Sequence, residues 1–334
     1  MKRFLAALLS FVLLFGFTTR PAEAYLKFGV SVSGRTVTLK WSTLPVRYFV
    51  TDRAAPGVTA QQLQATVAHA FSTWQAVSTA SLSFEFVGFT GGEPGQQDGM
   101  STLGFVNRPE LERVLGSTNF LIDRTTGQLL EADIFFNSAF PWSVAPSGES
   151  GKFDLESIVL HETGHLIGLG HSALGETEPR PGGGRRVIAA EAVMFPIAFS
   201  PGSITDRSLK ADDTAGVSDV YRNTKFNQDT GSITGRVTKN GAGIFGAHVI
   251  AFNPDTGKLI GSFSLNDRGE FVTAGLDPGV YIIRVEPLDD ADVDSFFDDS
   301  AKVDLNFRTA FLDRLVAVPP GGTAAAIEVK VTPK

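Results

Sequence analysis

The segment at residues 161–172, HETGHLIGLGHS, constrains this chain most, because it spaces three histidines and a carboxylate as a metal site requires. On an α-helix, residues four apart lie on the same face, so His161 and His165 can offer ring nitrogens to one ion. Gly168 follows three residues after His165, where a glycine can end the helix and reverse the chain. We expect this turn to bring His171 to the same ion.

Three protein ligands leave a fourth position open, which is typical of a catalytic zinc and not of a closed structural one. Glu162, next to the first ligand, occupies the position of the general base in zinc hydrolases. The alternative is that these histidines are unrelated core or surface groups. Three of the five histidines of the chain fall within this segment, which favours the metal site. We predict that His161, His165 and His171 bind zinc and that Glu162 is catalytic.

The extended motif resembles that of the metzincin metalloproteases, in which a methionine turn lies beneath the zinc. The segment at 192–196, AVMFP, fits that turn, and Met194 is its methionine. Ser172 and the segment at 209–221, LKADDTAGVSDVY, narrow the resemblance to the matrixin branch. The resemblance implies that Asp212 and Asp213 brace the methionine turn and the amino-terminal segment.

The resemblance covers roughly residues 38–223 and implies an α+β fold, with a twisted, mostly parallel sheet plus helices. Apolar residues recur every 3.6 positions over 59–77, which predicts a helix that Thr59 caps. Residues 82–87 alternate as in a half-buried strand. The segment at 131–137 resembles the edge strand that matrixins place above the zinc, where a peptide substrate can pair.

The chain departs from the matrix metalloproteinases in two respects. It contains no cysteine, which excludes latency through a propeptide cysteine bound to zinc. Residues 25–40, between the predicted signal cleavage site and Trp41, are too few for a folded prodomain. Only His69 and His248 remain outside the motif, so we expect one zinc and not two. The resemblance also allows structural calcium, for which Asp133 and Asp154 are candidates.

Two further segments lie near the predicted site in the sequence. The stretch at 173–190 is longer than the usual matrixin link between the third ligand and the methionine turn. It either rims the substrate cleft or is a solvated surface insertion, since polar stretches rich in glycine are ordinarily mobile loops. In a matrixin, residues 197–208 would form the wall of the main specificity pocket.

The amino-terminal residues predict secretion. Lys2 and Arg3 precede an apolar run at 4–17, and the small residues at 22–24 form a cleavage site. We therefore predict a signal peptide at 1–24 and an extracellular protein, or a periplasmic one if the source is bacterial. The absence of cysteine favours bacterial export. No later apolar stretch is long enough for a membrane span.

The chain is long enough for two domains. We predict a catalytic domain at 25–223, a polar linker at 224–230 and a β-sandwich at 231–334, because short alternating strands there are separated by Gly, Asn and Pro turns. Residues 231–288 resemble carboxypeptidase regulatory-like or prealbumin-like modules. This domain either targets the protein to a surface or matrix or is a stabilising spacer. The acidic stretch at 289–299 lacks the residues of a calcium loop, and we expect it to be solvated.

The predicted function is a secreted zinc endopeptidase that acts on protein or peptide substrates. The net charge of −7 without a basic patch argues against nucleic acid as a partner. Two alternatives stay open. A catalytically silent zinc-binding or adhesive protein is disfavoured by Glu162, because a binding module needs no general base. A zinc hydrolase of non-peptide amides is disfavoured by the predicted strand for substrate pairing.

Overall fold

The computed structural model describes residues 26–32, 35–181, 183–298 and 300–334. The predicted signal peptide at 1–24 lies outside the described residues. Within these ranges, every helix is too short or too polar to cross a bilayer.

The amino-terminal part combines eleven strands with four helices. The strands are β1 (Gly29–Val32), β2 (Arg35–Thr38), β3 (Val46–Thr51), β4 (Phe84–Thr90), β5 (Ser101–Val106), β6 (Gly116–Asp123), β7 (Gln128–Asn137), β8 (Trp142–Ser143), β9 (Phe153–Asp154), β10 (Gly175–Pro179) and β11 (Arg185–Ala190). The helices are α1 (Ala60–Gln75), α2 (Leu155–Leu166), α3 (Ala211–Val220) and α4 (Thr224–Asp229).

Helix α1 confirms the helix that apolar periodicity predicts at 59–77. Its buried face is formed by Ala60, Leu63, Val67, Ala70, Phe71 and Trp74. The Thr59 hydroxyl accepts a hydrogen bond from the Gln62 amide (3.2 Å), and the Gln62 side chain accepts one from the Thr59 amide (2.9 Å). This reciprocal capping box satisfies two backbone donors that the first turn of a helix leaves free.

The main sheet has the strand order β4-β3-β5-β7-β6. The first four strands run parallel, whereas β6 is antiparallel to β7. The prediction that 131–137 forms the edge strand is therefore wrong, since β7 lies between β5 and β6. The short connection from Asp123 to Gln128 folds β6 back onto β7, so that β6 takes the edge position.

Helix α2 carries the first two histidines of the motif and packs against α1 and the sheet. The Asp154 carboxylate caps it by accepting a hydrogen bond from the Ser157 amide (2.9 Å). The indole of Trp74 donates to the Leu160 carbonyl (2.9 Å), which ties α1 to α2 within one hydrophobic core. That core also includes Phe136, and it holds α2 against the sheet.

The carboxy-terminal part consists of strands around a second core. The strands are β12 (Gly231–Lys239), β13 (Ala242–Gly243), β14 (His248–Phe252), β15 (Leu259–Phe263), β16 (Glu270–Leu276), β17 (Gly279–Glu286), β18 (Ala310–Phe311), β19 (Val316–Val318) and β20 (Ile327–Val331), with a 3₁₀ turn at Val293–Ser295. One sheet has the order β13-β12-β16, with β20 also paired to β12, and the other has the order β15-β14-β17-β18, with β19 also paired to β17. Residues of both sheets share one hydrophobic cluster.

Three segments differ from their predicted form. Much of 173–190 forms an antiparallel hairpin of β10 and β11, because paired strands satisfy backbone groups that a mobile loop would leave to water. The predicted linker at 224–230 is largely helical, as α4, and the Asn223 side chain caps it. The acidic stretch at 289–299 is not fully solvated. The Thr177 amide donates to Asp290 Oδ1 (2.8 Å), and the Thr177 hydroxyl donates to the Asp290 carbonyl (2.7 Å).

Candidate metal centre

The structure brings His161, His165 and His171 together, with one ring nitrogen of each within 4.8 Å of the others. Helix α2 places the first two on one face. The chain then turns at Gly168, whose φ of 96° suits glycine. This turn returns His171 to the other two rings.

The Nδ1 atom of each ring contacts a backbone carbonyl. His161 donates to Val193 (2.7 Å), His165 to Leu169 (2.9 Å) and His171 to Ser295 (2.6 Å). A carbonyl oxygen can only accept, so each Nδ1 carries the proton and each neutral ring keeps an Nε2 lone pair. Burial lowers the pKa of all three rings, that of His161 to about 3, which keeps them neutral.

This arrangement fits a bound zinc ion. The Nε2 atoms of His165 and His171 lie 3.2 Å apart, although neither carries a proton to share. Two lone pairs at this distance repel each other unless a cation lies between them. A tetrahedral zinc with Zn–N bonds of ~2.0–2.1 Å separates its nitrogen ligands by about 3.3 Å. The described residues therefore supply three neutral imidazole ligands in a suitable arrangement.

Glu162 is 5% exposed and lines the same cleft as the three histidines. The Thr118 hydroxyl, on edge strand β6, donates to Glu162 Oε2 (2.8 Å). Burial raises the pKa of Glu162 to about 7, and the hydrogen bond from Thr118 opposes that rise. A Cβ atom on Gly116 would lie 3.1 Å from the Glu162 side chain, so the glycine eases the close approach of β6 to this carboxylate.

Met194 is fully buried beneath α2, and its neighbours join the two ends of the motif. The Val193 carbonyl accepts from His161, and the Met194 carbonyl accepts from the Ser172 amide (2.9 Å). The Asp213 carboxylate in turn accepts from the amides of Val193 (2.9 Å) and Met194 (3.2 Å). Asp213 thus braces this turn as expected.

Among the residues that the structure describes, Asp212 has no contact with the amino-terminal segment, contrary to expectation. Its carboxylate accepts from the Ser172 hydroxyl (2.6 Å) and from the Gly261 amide (2.7 Å) on β15. The amino-terminal segment instead reaches Asp219 through Lys27, in a buried ion pair of 2.7 Å. Asp219 lies two turns further along α3, where it faces Lys27, whereas Asp212 faces the carboxy-terminal part.

The cleft in front of the histidines has a volume of about 790 Å³. Its walls include Gly116–Thr118 of β6, Pro196 at the end of the methionine turn, and Phe199 and Asp206 from the segment predicted as the specificity-pocket wall. Residues 294–298 of the carboxy-terminal part also line it. The cleft is large enough for several residues of an extended peptide.

The two calcium candidates are occupied by protein donors. Asp133 accepts from the amides of Gly95 (2.5 Å) and Thr102 (2.7 Å). Asp154 caps α2 and pairs with the guanidinium of Arg207. A carboxylate has about four acceptor sites and can accept amide hydrogen bonds while it binds a metal, so structural calcium at Asp133 or Asp154 stays a prediction.

The remaining histidines lie apart from the motif. His69 is exposed on α1, with Nδ1 2.8 Å from Glu156 Oε1, as expected for a helix-surface residue. His248 is buried on β14, and its Nδ1 lies 3.1 Å from Glu286 Oε1.

Sequence reasoning missed two residues at this centre, Thr118 and Ser295. The turn-forming sequence at 123–127, DRTTG, before an alternating stretch could have indicated the β6–β7 hairpin that carries Thr118. Ser295 acts through its backbone carbonyl, for which a side-chain pattern gives no signal.

Comparison with known proteins agrees with this geometry. The family model of the matrixin peptidases (Matrixin, Peptidase_M10) matches residues 40–178. Matrix metalloproteinase-16 of Rattus norvegicus is 29% identical over 136 residues, covering 40% of this chain and 22% of the relative, and its Homo sapiens counterpart matches equally. The chain thus matches only about a fifth of the length of these relatives.

Two solved structures overlap weakly with the chain. The TIE protein of Bacillus anthracis is 15% identical, with a TM-score of 0.21, over 31% of this chain and 17% of its own. The minor pilin GBS52 of Streptococcus agalactiae is 8% identical, with a TM-score of 0.20, over 32% and 46%. Neither overlap is extensive enough to indicate a shared fold.

The chain therefore carries a matrixin-like domain, of the α+β class. The likeness to the matrixin peptidases extends over residues 40–178, which is less than half of the chain.

Proposed function

We propose that this protein is a zinc endopeptidase in which His161, His165 and His171 hold the metal and Glu162 is the general base. The observation that carries this proposal is the convergence of three neutral imidazoles beside a buried carboxylate on the wall of one cleft. A metal-binding module would need the imidazoles but not the carboxylate. The turn at Met194 contacts the first ligand, His161, through the Val193 carbonyl, and the residue after the third ligand, Ser172, through the Met194 carbonyl.

Zinc bound at this centre supplies a Lewis acid and lowers the pKa of water. Glu162 accepts the proton of the attacking water and passes it to the leaving amine. The hydrogen bond from Thr118 orients the carboxylate for both transfers. The Nδ1 contacts fix the three rings, so that the Nε2 atoms are preorganised toward the metal.

Edge strand β6 supports a peptide as the substrate. It borders the cleft at the residues next to Glu162, and an edge strand presents backbone groups to which an extended peptide can add. A substrate paired to β6 would lie across the face of α2 with its scissile bond near Glu162. This supports protein or peptide substrates over non-peptide amides.

The wider organisation belongs to the same proposal. Residues 1–24 are a signal peptide that directs secretion, 25–223 are the catalytic domain and 224–230 connect it to a β-sandwich at 231–334. The shared core of the two carboxy-terminal sheets supports the sandwich, of the carboxypeptidase regulatory-like kind. One catalytic zinc is proposed, together with structural calcium, for which Asp133 and Asp154 are candidates. The sandwich is a candidate for binding a surface or matrix target.

Cleavage of an unstructured protein tests the function. Residues 25–334 are incubated with casein, alongside the Glu162→Ala variant and a sample treated with a zinc chelator. We expect cleavage by the wild type, and a loss of at least about 10²-fold in the variant, because proton transfer typically contributes 10²–10⁴-fold. The variant should retain stoichiometric zinc by atomic absorption.

The outcomes separate the alternatives. Zinc binding without cleavage of casein or unstructured peptides would favour the silent module. Release of amine from simple amides, with peptides untouched, would favour the non-peptide hydrolase. Full turnover by Glu162→Ala would remove Glu162 from its assigned role.

A further inference from the structure

The third histidine of the metal centre depends on the carboxy-terminal part of the chain. Val193 and Leu169, which hold His161 and His165, belong to the same part of the chain as the motif. The carbonyl that holds His171 belongs to Ser295, 124 residues further along. One ligand is therefore oriented from across the boundary between the two parts.

The backbone at Ser295 is arranged to make this contact. The 3₁₀ turn Val293–Ser295 uses the amides of Ser295 and Phe296 internally, as they donate to Asp292 (2.9 Å) and Val293 (3.0 Å). The Ser295 carbonyl points instead to His171 Nδ1 at 2.6 Å, a short distance for an N–H donor.

Aromatic packing holds this turn in place. The ring of Phe297 lies 5.2 Å from Phe245 and 5.4 Å from Phe263 on β15, and Phe296 lies 5.9 Å from Phe263. Phe296 also approaches the His171 ring, edge to face, at 6.5 Å. The same cluster includes Ala173, two residues after His171. The turn is thus attached to the carboxy-terminal core and to the chain next to the ligand.

Further hydrogen bonds fix the two parts together around this contact. Thr177 donates to Asp290, Arg185 donates to the Asp289 carbonyl (2.7 Å), and the Gly261 amide donates to Asp212. These contacts tie the carboxy-terminal part to the part of the chain that carries the motif. The orientation of the turn is therefore set by docking of the carboxy-terminal part.

We propose that the carboxy-terminal part is a component of the metal site: the Ser295 carbonyl, anchored by Phe296 and Phe297, fixes His171 with Nδ1 protonated and Nε2 toward zinc. Ser295 is a positioning residue, since it acts on the metal through His171. This inference rests on the proposed zinc site but not on peptide hydrolysis.

The test measures zinc affinity in the chain of residues 25–334. Phe296→Ala and Phe297→Ala are made singly, and Phe311→Ala is the matched control, because Phe311 on β18 is 63% exposed and lies in the same part of the chain. Zinc affinity is measured by competition with a chromophoric chelator. Loss of a contact that orients a metal ligand weakens metal binding by about 10- to 100-fold, and we expect this for the two test variants and not for the control.

A second readout follows the proton itself. In long-range ¹H–¹⁵N spectra of the zinc-loaded, histidine-labelled protein, His171 should carry its proton on Nδ1, protected from solvent exchange. We expect Phe296→Ala and Phe297→Ala to expose that proton to exchange while leaving those of His161 and His165 protected. This pattern would not follow from a general loss of stability, and the unfolding midpoint of each variant is recorded beside it.

The outcomes distinguish this inference from the proposed function. Unchanged zinc affinity with a protected His171 proton in a folded variant would overturn the inference alone. Zinc binding that is sensitive to Phe296 and Phe297 in a protein that cleaves no peptide would overturn the endopeptidase and support the inference. A wild-type chain that binds no zinc would overturn both.

Discussion

At the scale of single residues, the centre depends on close contacts that leave no room for additional atoms. Gly164 lies on α2 between His161 and His165, and a Cβ atom there would overlap Met194 Sδ and lie 3.1 Å from Trp74 Cζ2. The motif therefore needs a small residue at 164 for packing, besides its ligands. The HExxH pattern leaves this position free, so the pattern alone could not have indicated the constraint.

Gly164→Ala should lower stability despite the helix propensity of alanine. The substitution gains about 1 kcal/mol of propensity. Overpacking against Met194 and Trp74 costs about 1–3 kcal/mol, and we expect a net loss of about 1 kcal/mol in the free energy of unfolding. Gly91→Ala is the control, because a Cβ atom there meets nothing within 4 Å. Urea denaturation measures both, and equal stabilities of the two variants would contradict the packing argument.

Asp212 gives the protein a pH-dependent stability. Burial raises the pKa of its carboxyl from 3.8 to about 8 in the folded protein. Below about pH 4 the carboxyl is protonated in both states, and its contribution to stability is fully present. As the pH rises toward 8, the unfolded state ionises first, so this contribution is progressively lost.

Asp212→Asn should reduce this loss. The amide can still accept from Gly261 and donate to Ser172, and it carries no charge to desolvate. Between pH 5 and pH 8, the free energy of unfolding of the metal-free wild type should fall relative to the variant by at least about 1 kcal/mol. Urea titrations at both pH values measure this, with Asp313→Asn as the control because that side chain is 90% exposed. Parallel pH dependences of wild type and Asp212→Asn would refute it.

At the scale of elements, strand β6 and helix α2 act together on Glu162. The hydroxyl of Thr118 reaches both the carboxylate (2.8 Å) and the backbone carbonyl of Glu162 (3.2 Å). The strand that borders the cleft therefore also orients the proposed base.

Thr118→Val preserves the shape of the side chain and removes the donor. A hydrogen bond to a charged group is worth about 1.5 kcal/mol or more, which corresponds to about a tenfold loss of kcat. Thr66→Val on α1 makes the same exchange away from the cleft and should leave kcat unchanged. Steady-state cleavage of a fluorogenic peptide by both variants, with zinc content measured in parallel, tests this. If the two variants have the same kcat, Thr118 does not orient the base.

The elements that the sequence predicts well are those whose signals are local. Helix α1 is capped by Thr59 and buries one apolar face, and both features can be read from its own residues. Strand β4, which follows it, begins within two residues of its expected start. The position of β7 inside the sheet could not be predicted in the same way. It depends on how 116–123 folds back, and an inner and an edge strand can share one alternating pattern.

In the candidate site too, some features follow from the local sequence and others depend on the tertiary structure. The spacing of His161, His165 and His171 follows from helix geometry and a glycine turn, both local properties. The partners of their Nδ1 atoms are backbone carbonyls, and that of Ser295 reaches His171 only through docking of two separate cores. Such contacts carry no side-chain signature and require the tertiary structure.

At the scale of the whole molecule, the metal centre couples the two parts of the chain. The proposed zinc and the Ser295 carbonyl both constrain the ring of His171. Removing zinc leaves only the Ser295 contact, and this should loosen the turn at Val293–Ser295. We therefore expect faster deuterium uptake at 293–298 after chelation, measured by mass spectrometry. Strand β20, in the same part of the chain but remote from the centre, should show no change. Equal uptake at 293–298 with and without zinc would show that the turn does not respond to the metal.

The parallel pairing of β12 with β20 has a consequence for the time at which the proposed metal centre is complete. A chain synthesised amino end first presents His171 long before Ser295, and the sheet of β12 is incomplete until Ile327–Val331 has followed. The three histidines alone are a partial site during this interval. A full set of oriented ligands exists only once nearly all of the described chain has been made and folded, so the order of the sequence itself delays completion of the proposed centre until the end of synthesis.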